Sequence, residues 1–326
     1  MSNRHSPRAS LCILTPVYNE AGNLDRYVDE VTRILFSRPD LDAHVLFVDD
    51  GSSDDSWHKI QEIAKTSDRF SALRLSRNFG SHTALIAGFD YVRENTDIVV
   101  TLACDLQDPP ETIIEFVAKW RQGFDIVWGA RGKRADGLFR QAASRNLEYL
   151  LRRFAMPRNS QFRTGSFFLI DRVVLDCVRQ FREHSRVTFA LVAWTGFEQS
   201  TVIYDRRPRL VGYSKWSHGQ LLNTAYDVFI GFSPIPAKVL TAFGFFMLFA
   251  SLSAAAYVVI DWFLLDVVPG WTGLMTTMTL CFGLLFVMLG VSFEYLYRIF
   301  METKGRPLYF VARHVGEVQP RKSPHA

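Results

Sequence analysis

Between residues 11 and 128, short apolar runs alternate with segments whose apolar positions recur every three or four residues. The first pattern fits strands buried on both faces and the second fits amphipathic helices. The spacing predicts strands over 11–15, 44–48, 71–75, 97–102 and 125–128, and helices over 23–36, 55–65, 83–93 and 112–121. This order predicts an α/β fold, a mostly parallel sheet with helices on both faces. Ligands of such sheets bind beyond the carboxyl ends of the strands, so the residues that follow each run matter most.

The pattern changes after Trp128. Residues 131–137 are basic and contain glycine, which predicts a loop, and 139–154 reads as a basic amphipathic helix carrying Arg140, Arg145, Arg152 and Arg153. Such a helix lies on a membrane surface or presents a solvated face. Two runs then lack any charge, 22 residues over 239–260 and 27 over 267–293, each matching the ~20 residues that span a bilayer. Trp262, Trp271, Tyr295 and Tyr297 near their ends fit interfacial anchors, and Pro234 and Pro236 mark the entry. The connector 261–270 carries two Asp and no Lys or Arg, whereas Lys238, Arg298, Lys304, Arg306 and Arg313 flank the runs. The positive-inside rule therefore predicts an integral plasma-membrane protein with two spans, the connector outside, and the globular part and both termini cytoplasmic. The expected division is a polar tail over 1–10, a globular domain over 11–216, a juxtamembrane segment over 217–235, a two-helix membrane region over 236–297 and a cytoplasmic tail over 298–326.

Composition refines this picture modestly. A hydrophobic share of 48% in 326 residues supports a sizeable core, and residues 1–10 are too short and polar for a signal peptide. Cys12, Cys104, Cys177 and Cys281 lack metal or redox spacing, as expected of a reduced compartment. The net charge of +4, without a basic stripe interleaved with aromatics, points to an anionic membrane surface and not to nucleic acid.

Three predicted strands end in chemistry-bearing residues. The first runs into Pro16-Val-Tyr18-Asn-Glu20, the second into Asp49-Asp50-Gly-Ser-Ser-Asp54, and the fourth into Asp105-Leu-Gln107-Asp108-Pro-Pro-Glu111. An aromatic ring beside carboxylates holds a nucleobase and ribose by stacking and hydrogen bonding. Oxygen donors such as Asp105 and Gln107 suit hard divalent ions. Local alternatives exist for each: an Asx turn and helix cap over 49–54, and Asp108 as N-cap with Pro109 at the first helical position. No G-x-G-x-x-G or Walker loop occurs.

Taken together, V-Y-N-E, V-D-D-G-S-x-D and D-L-Q-D-P-P-E resemble the markers of the family 2 glycosyltransferases, over about residues 11–216. With two C-terminal spans, the closer resemblance is to the polyprenyl-phosphate glycosyltransferases, including dolichyl-phosphate mannose synthases and bactoprenyl-phosphate glucosyltransferases. The resemblance implies the Rossmann-like GT-A fold and transfer of a sugar from a UDP- or GDP-sugar to a polyprenyl phosphate for a cell-envelope glycan. It implies Pro16, Tyr18, Glu20, Asp49 and Asp50 around the nucleotide. Asp105 and Gln107 match the positions near Mg²⁺ or Mn²⁺, with Asp105 at the centre of catalysis. Arg131, Arg140 and Ser144 look like lipid-phosphate ligands, and Arg209 and Lys215, in R-x-x-G-x-S-K-W, serve phosphates in catalysis.

This chain departs from the family at two places. Ala103 stands where D-A-D-L-Q has its first acid, and Ser166 and Phe168 stand where bactoprenyl enzymes tend to have an acid and an arginine. The alternatives are therefore a divergent, non-catalytic member that binds nucleotide sugar or recruits a partner, and a transferase for another lipid or a polysaccharide. Gly244, Gly283 and Gly290 permit self-association of the spans into a homo-oligomer.

Overall fold

The apolar runs pair as strands because each carries too many buried side chains to face water on either side. β1 (Ala9–Val17) and β2 (Leu41–Asp49) lie parallel at the centre, followed by β3 (Phe70–Leu75), with β4 (Ile98–Thr101) on the other side of β1. The computed structural model describes residues 4, 6–132, 165–181, 183, 187–208, 242–243, 245–246, 249–250, 253 and 270–318. The chain divides into two compact units, Met1–Phe229 with Pro307–Ala326, and Ile230–Arg306.

In the first unit, β5 (Ile126–Arg131), β6 (Phe168–Asp171), β7 (Gln199–Tyr204) and β8 (Val311–Val315) extend the sheet to the order β7-β5-β6-β4-β1-β2-β3-β8. β6 and β8 pair antiparallel with their neighbours and the remaining pairs are parallel. The expectation of a mostly parallel α/β sheet thus matches the structure. The strands β6, β7 and β8 were not among those predicted. β6 is a four-residue strand and β8 lies far along the chain, beyond the apolar runs, so neither follows the local α/β rhythm.

Helices α1 (Leu24–Val31, continued by a π-helical turn over Thr32–Phe36), α2 (Ser56–Thr66), α3 (Ser81–Asp90) and α4 (Thr112–Arg121) occupy the predicted stretches. Short helices α5 (Arg172–Val178) and α6 (Thr188–Trp194) follow β6. One face of the sheet is filled by Tyr27, Phe47 and Phe70, with ring centroids 5.7 and 6.2 Å apart along that series. Helix α3 lies so close to β1 that a Cβ on Gly88 would come within 2.2 Å of Leu14 Cδ1. The antiparallel strand β6 is secured at its end by Asp171, fully buried, which accepts from Trp120 Nε1 at 2.6 Å and from Val173 N–H at 2.9 Å.

The second unit contains α7 (Trp271–Thr303), 33 residues and therefore about 50 Å long. Its segment Cys281–Thr303 is long and apolar enough to cross a membrane, the one such helix among the described residues. The helix runs ten residues beyond the charge-free run that ends at 293, and six beyond the predicted membrane region's end at 297. Of the first predicted span, Ala242, Phe243, Phe245, Phe246, Phe249, Ala250 and Ser253 are helical; the rest lies outside the described residues, as does the predicted helix over 139–154.

Candidate active site

The register between β1 and β2 sets Val17 beside Asp49, so the two strands deliver their polar termini side by side. Asn19 has a left-handed φ of 51°, which turns its side chain onto the neighbouring segment. Its Oδ1 accepts from Ser53 N–H at 2.8 Å and Asp54 N–H at 3.3 Å, while its own N–H donates to Ser52 Oγ at 2.9 Å. Glu20 N–H donates to Ser56 Oγ at 2.9 Å. This stitching leaves Pro16 and Glu20 partly exposed and Tyr18 exposed at the rim. Three of the predicted nucleotide residues therefore share one edge.

Asp49 and Asp50 are placed differently, with both carboxylates buried. Asp49 Oδ1 accepts from Ser52 N–H at 3.3 Å, the Asx turn weighed for this segment, and its Oδ2 lies 3.2 Å from Arg74 Nε in an ion pair. Burial raises the Asp49 pKa against the pull of these partners. Asp50 accepts from Phe79 N–H at 2.7 Å and Gly80 N–H at 2.8 Å. Burial nevertheless pushes its carboxyl up to about 6, opposed by those two amides. The loop 77–80 is thus tied to the β2 terminus, and Gly51 allows the approach: its φ is +69° and a Cβ there would meet Arg77 C at 2.5 Å. That loop was not among the predicted site segments. The signal lay in Asn78 and Gly80, turn residues directly after an apolar run.

At the end of β4, exposure alternates. Ala103, Asp105, Gln107 and Pro109 are partly exposed, and Cys104, Leu106 and Asp108 are buried. Leu106 adopts a left-handed φ of 50°, closing a turn in which Gln107 N–H donates to Asp105 Oδ1 at 3.2 Å. The predicted metal residues therefore sit on one turn. Among the described residues no three His, Cys, Asp or Glu side chains group as a self-contained metal site. One carboxylate and one amide oxygen fit an ion that is shared with a diphosphate, since Mg²⁺ is commonly held by one or two carboxylates plus substrate phosphates. The Thr101 hydroxyl donates to the Ser166 carbonyl, which places Ser166 against the end of β4, near Ala103. Phe168 is buried, its ring 5.2 Å from Trp128, and fills core where an arginine was expected from the family pattern.

Asp108 does not cap a helix. Helix α4 begins at Thr112 with Glu111 at its N-cap, and the two prolines form the turn before it through Thr112 N–H to Pro109 O, 3.1 Å. The Asp108 carboxylate instead accepts from the Tyr204 hydroxyl at the end of β7 and lies 3.6 Å from Arg206 Nε. Tyr204 pairs in register with Arg131. Burial and Asp108 push the Tyr204 phenol well above its ordinary pKa, and the Arg131 guanidinium beside it opposes that rise. Arg207 N–H donates to the Gln107 carbonyl at 2.8 Å, so the chain leaving β7 runs along the Asp105–Gln107 turn. The structure thus sets Arg131 opposite Tyr204, whose hydroxyl bonds Asp108. Arg140, Ser144, Arg209 and Lys215 lie outside the described residues.

Residues 12–179 match the family described as Glycosyl transferase family 2. Among curated proteins, the chain is 36% identical over 307 residues to an uncharacterized glycosyltransferase of Synechocystis, covering 93% of this chain and 94% of that one. It is 30% identical to the undecaprenyl-phosphate 4-deoxy-4-formamido-L-arabinose transferase of Proteus mirabilis, covering 95% of each. It is 29% identical to the bactoprenol glucosyl transferase of Shigella phage SfX, covering 92% of this chain and 98% of that one.

Proposed function

Because the chain belongs to glycosyl transferase family 2, we propose that this glycosyltransferase moves one sugar from a UDP- or GDP-sugar to a polyprenyl phosphate at the cytoplasmic face of the membrane. The observation that carries this reading is the register of Arg131 with Tyr204, whose hydroxyl bonds Asp108 next to the diphosphate-suited Asp105–Gln107 turn. Two relatives similar along nearly the whole chain are named for bactoprenol or undecaprenyl phosphate, and α7 supplies a membrane-length apolar helix.

The chemistry asks little of the protein in proton transfer. A phosphate monoester has a second pKa of about 6, so at neutral pH the acceptor is already an anionic nucleophile. Its oxygen attacks the anomeric carbon, the bond from that carbon to the donor's β-phosphate oxygen breaks, and the nucleoside diphosphate leaves with the electron pair. No general base is required, which accommodates Ser166; with Ala103 in place of an acid, a metal ion would rest on Asp105, Gln107, the donor's phosphates and water. The task left to the side chains is alignment and relief of phosphate–phosphate repulsion, for which arginine's planar fork is suited. Arg131, with Arg140 and Ser144, holds the acceptor phosphate, and Arg209 and Lys215 serve the phosphates in transfer. Tyr18, Pro16 and Glu20 receive the nucleoside at the exposed rim, and Asp49 and Asp50 fix the walls of that site from within. Asp105 and Gln107 would hold a Mg²⁺ or Mn²⁺ ion, which would supply Lewis-acid stabilisation of the leaving diphosphate. In-line displacement inverts the anomeric configuration.

Purified full-length protein with labelled UDP- and GDP-sugars, a short polyprenyl phosphate and Mn²⁺ should yield an organic-extractable sugar phosphate of inverted configuration. Asp105→Ala should abolish it. Absence of product with every donor would falsify the transfer reading, and a retained configuration would overturn direct displacement.

A further inference from the structure

Two adjacent arginines follow β7, both about one third exposed and both ion-paired, Arg207 through short hydrogen bonds and Arg206 through one longer contact. Arg207 is consumed by structural ion pairs: its Nη2 donates to both Glu111 carboxylate oxygens at 2.9 Å, and its Nη1 to Glu30 Oε2 at 3.2 Å. Arg206 has a different partner, its Nε lying 3.6 Å from Asp108 Oδ1. Asp108 itself is 4% exposed and accepts from the Tyr204 hydroxyl. Arg131 sits opposite Tyr204 in the β5–β7 register, and its positive charge opposes the rise in the phenol's pKa. A buried carboxylate and phenol therefore orient two guanidinium groups from two strand ends, next to the turn that carries Asp105 and Gln107.

We propose that Arg206 is a further phosphate-binding residue of the acceptor subsite, set in line with Arg131 by the buried Asp108–Tyr204 pair. The ligand class is a phosphate monoester, and the proposal rests on the polyprenyl-phosphate reading above. Three features support it. The β7 exit cannot drift from the acidic turn, because Arg207 N–H is bonded to the Gln107 carbonyl. The Tyr204 ring is locked against Phe167, with centroids 5.3 Å apart in an edge contact, and a Cβ on Gly129 would meet both rings at 2.9 Å. The hydroxyl is thus held by ring packing and its removal leaves that packing intact. Asp108 and Tyr204 are positioning residues, whereas Arg206 touches the phosphate.

The test uses full-length protein in detergent, with farnesyl phosphate as acceptor and farnesol as the control. Arg206→Gln should raise the acceptor KM and weaken farnesyl phosphate binding about tenfold or more, with the donor KM within about twofold. Arg206→Lys should recover part of the loss by restoring the charge without the fork. Tyr204→Phe should shift the acceptor KM in the same direction and lower the melting temperature by a few degrees, because buried Asp108 loses its donor, whereas Arg207→Gln should lower the melting temperature without a selective acceptor effect. Wild-type acceptor kinetics in both Arg206→Gln and Tyr204→Phe would overturn the proposal. So would a rise in donor KM alone, which assigns Arg206 to the diphosphate, or equal binding of farnesol and farnesyl phosphate. Should Arg206→Gln fail to fold, Arg206→Lys and Tyr204→Phe decide. If farnesyl phosphate binds and responds to these variants but no donor gives product, the transfer reading falls and this one stands; product with indifferent variants gives the reverse.

Discussion

Asp50 carries opposing demands on one side chain. Its two backbone donors favour the carboxylate, yet burial dominates and raises its pKa from 3.8 to about 6. Between about pH 4 and pH 6 the folded chain retains a proton that the unfolded chain has released, so this residue's contribution to stability falls as pH rises through that window. Asp50→Asn should remove that component: the melting-temperature difference between wild type and variant should shrink from pH 4.5 to 6.5 in a thermal-shift series. A constant difference would show that Asp50 does not titrate there. The same substitution turns a two-oxygen acceptor into one oxygen and one donor facing the amides of Phe79 and Gly80. Donor affinity, measured by calorimetry without acceptor at pH 7.5, should therefore weaken roughly tenfold, the scale of one lost charge-assisted hydrogen bond. Asp108 shows how a local rule yields to a tertiary one. Before two prolines it has the form of a helix cap, but a buried phenol from a strand nearly a hundred residues away takes its carboxylate.

At the scale of elements, β8 has the widest reach. It pairs with β3 over Ala72–Leu75, Ser76 N–H donates to the Phe310 carbonyl at 2.9 Å, and the Tyr309 hydroxyl donates to Asp90 at 2.9 Å. It therefore covers an edge that would otherwise template aggregation, and it braces the strand that feeds the Asp50-bound loop. Removing residues 307–326 should lower the melting temperature, promote soluble aggregates on size exclusion, and weaken donor binding. Gly316→Ala is the milder probe: its φ is +79° and a Cβ would lie 2.9 Å from Phe70 O. A cost of about 1–3 kcal/mol should appear as a reduced urea midpoint with an unchanged m-value.

For the whole molecule, the chain leaves the first unit at Phe229 and rejoins it at Pro307, with β8 built into the same sheet as β1. We infer a two-span arrangement: a folded body stays on one side of a bilayer, so a membrane-crossing segment between its two parts would cross an even number of times. The membrane-length helix Cys281–Thr303 would be one crossing, and the charge-free run 239–260 would supply the other. Single cysteines placed in a cysteine-free background test this in intact cells. Asp266→Cys in the connector should react with a membrane-impermeant maleimide from outside, and Glu317→Cys only after permeabilisation. Labelling of both from outside would contradict the two-span arrangement.

The sequence by itself determined the five leading strands, the first four helices, the carboxyl-end placement of Tyr18, Glu20, Asp105 and Gln107, and the apolar runs. Each of these is written locally, in hydrophobic period and in residues at the ends of runs, and needs no knowledge of distant partners. Tertiary structure decided the rest. The short antiparallel β6 forms because it pairs on both sides, between β4 and β5, and the late strand β8 because β3 leaves an open edge, which no window of sequence records. Asp50 turned from the nucleotide edge toward two loop amides, and Asp108 left its helix for Tyr204, because burial makes a carboxylate seek whatever donors the fold brings within reach. The convergence of Arg131 and Arg206 on that pair is of the same kind, set by strand register rather than by spacing along the chain.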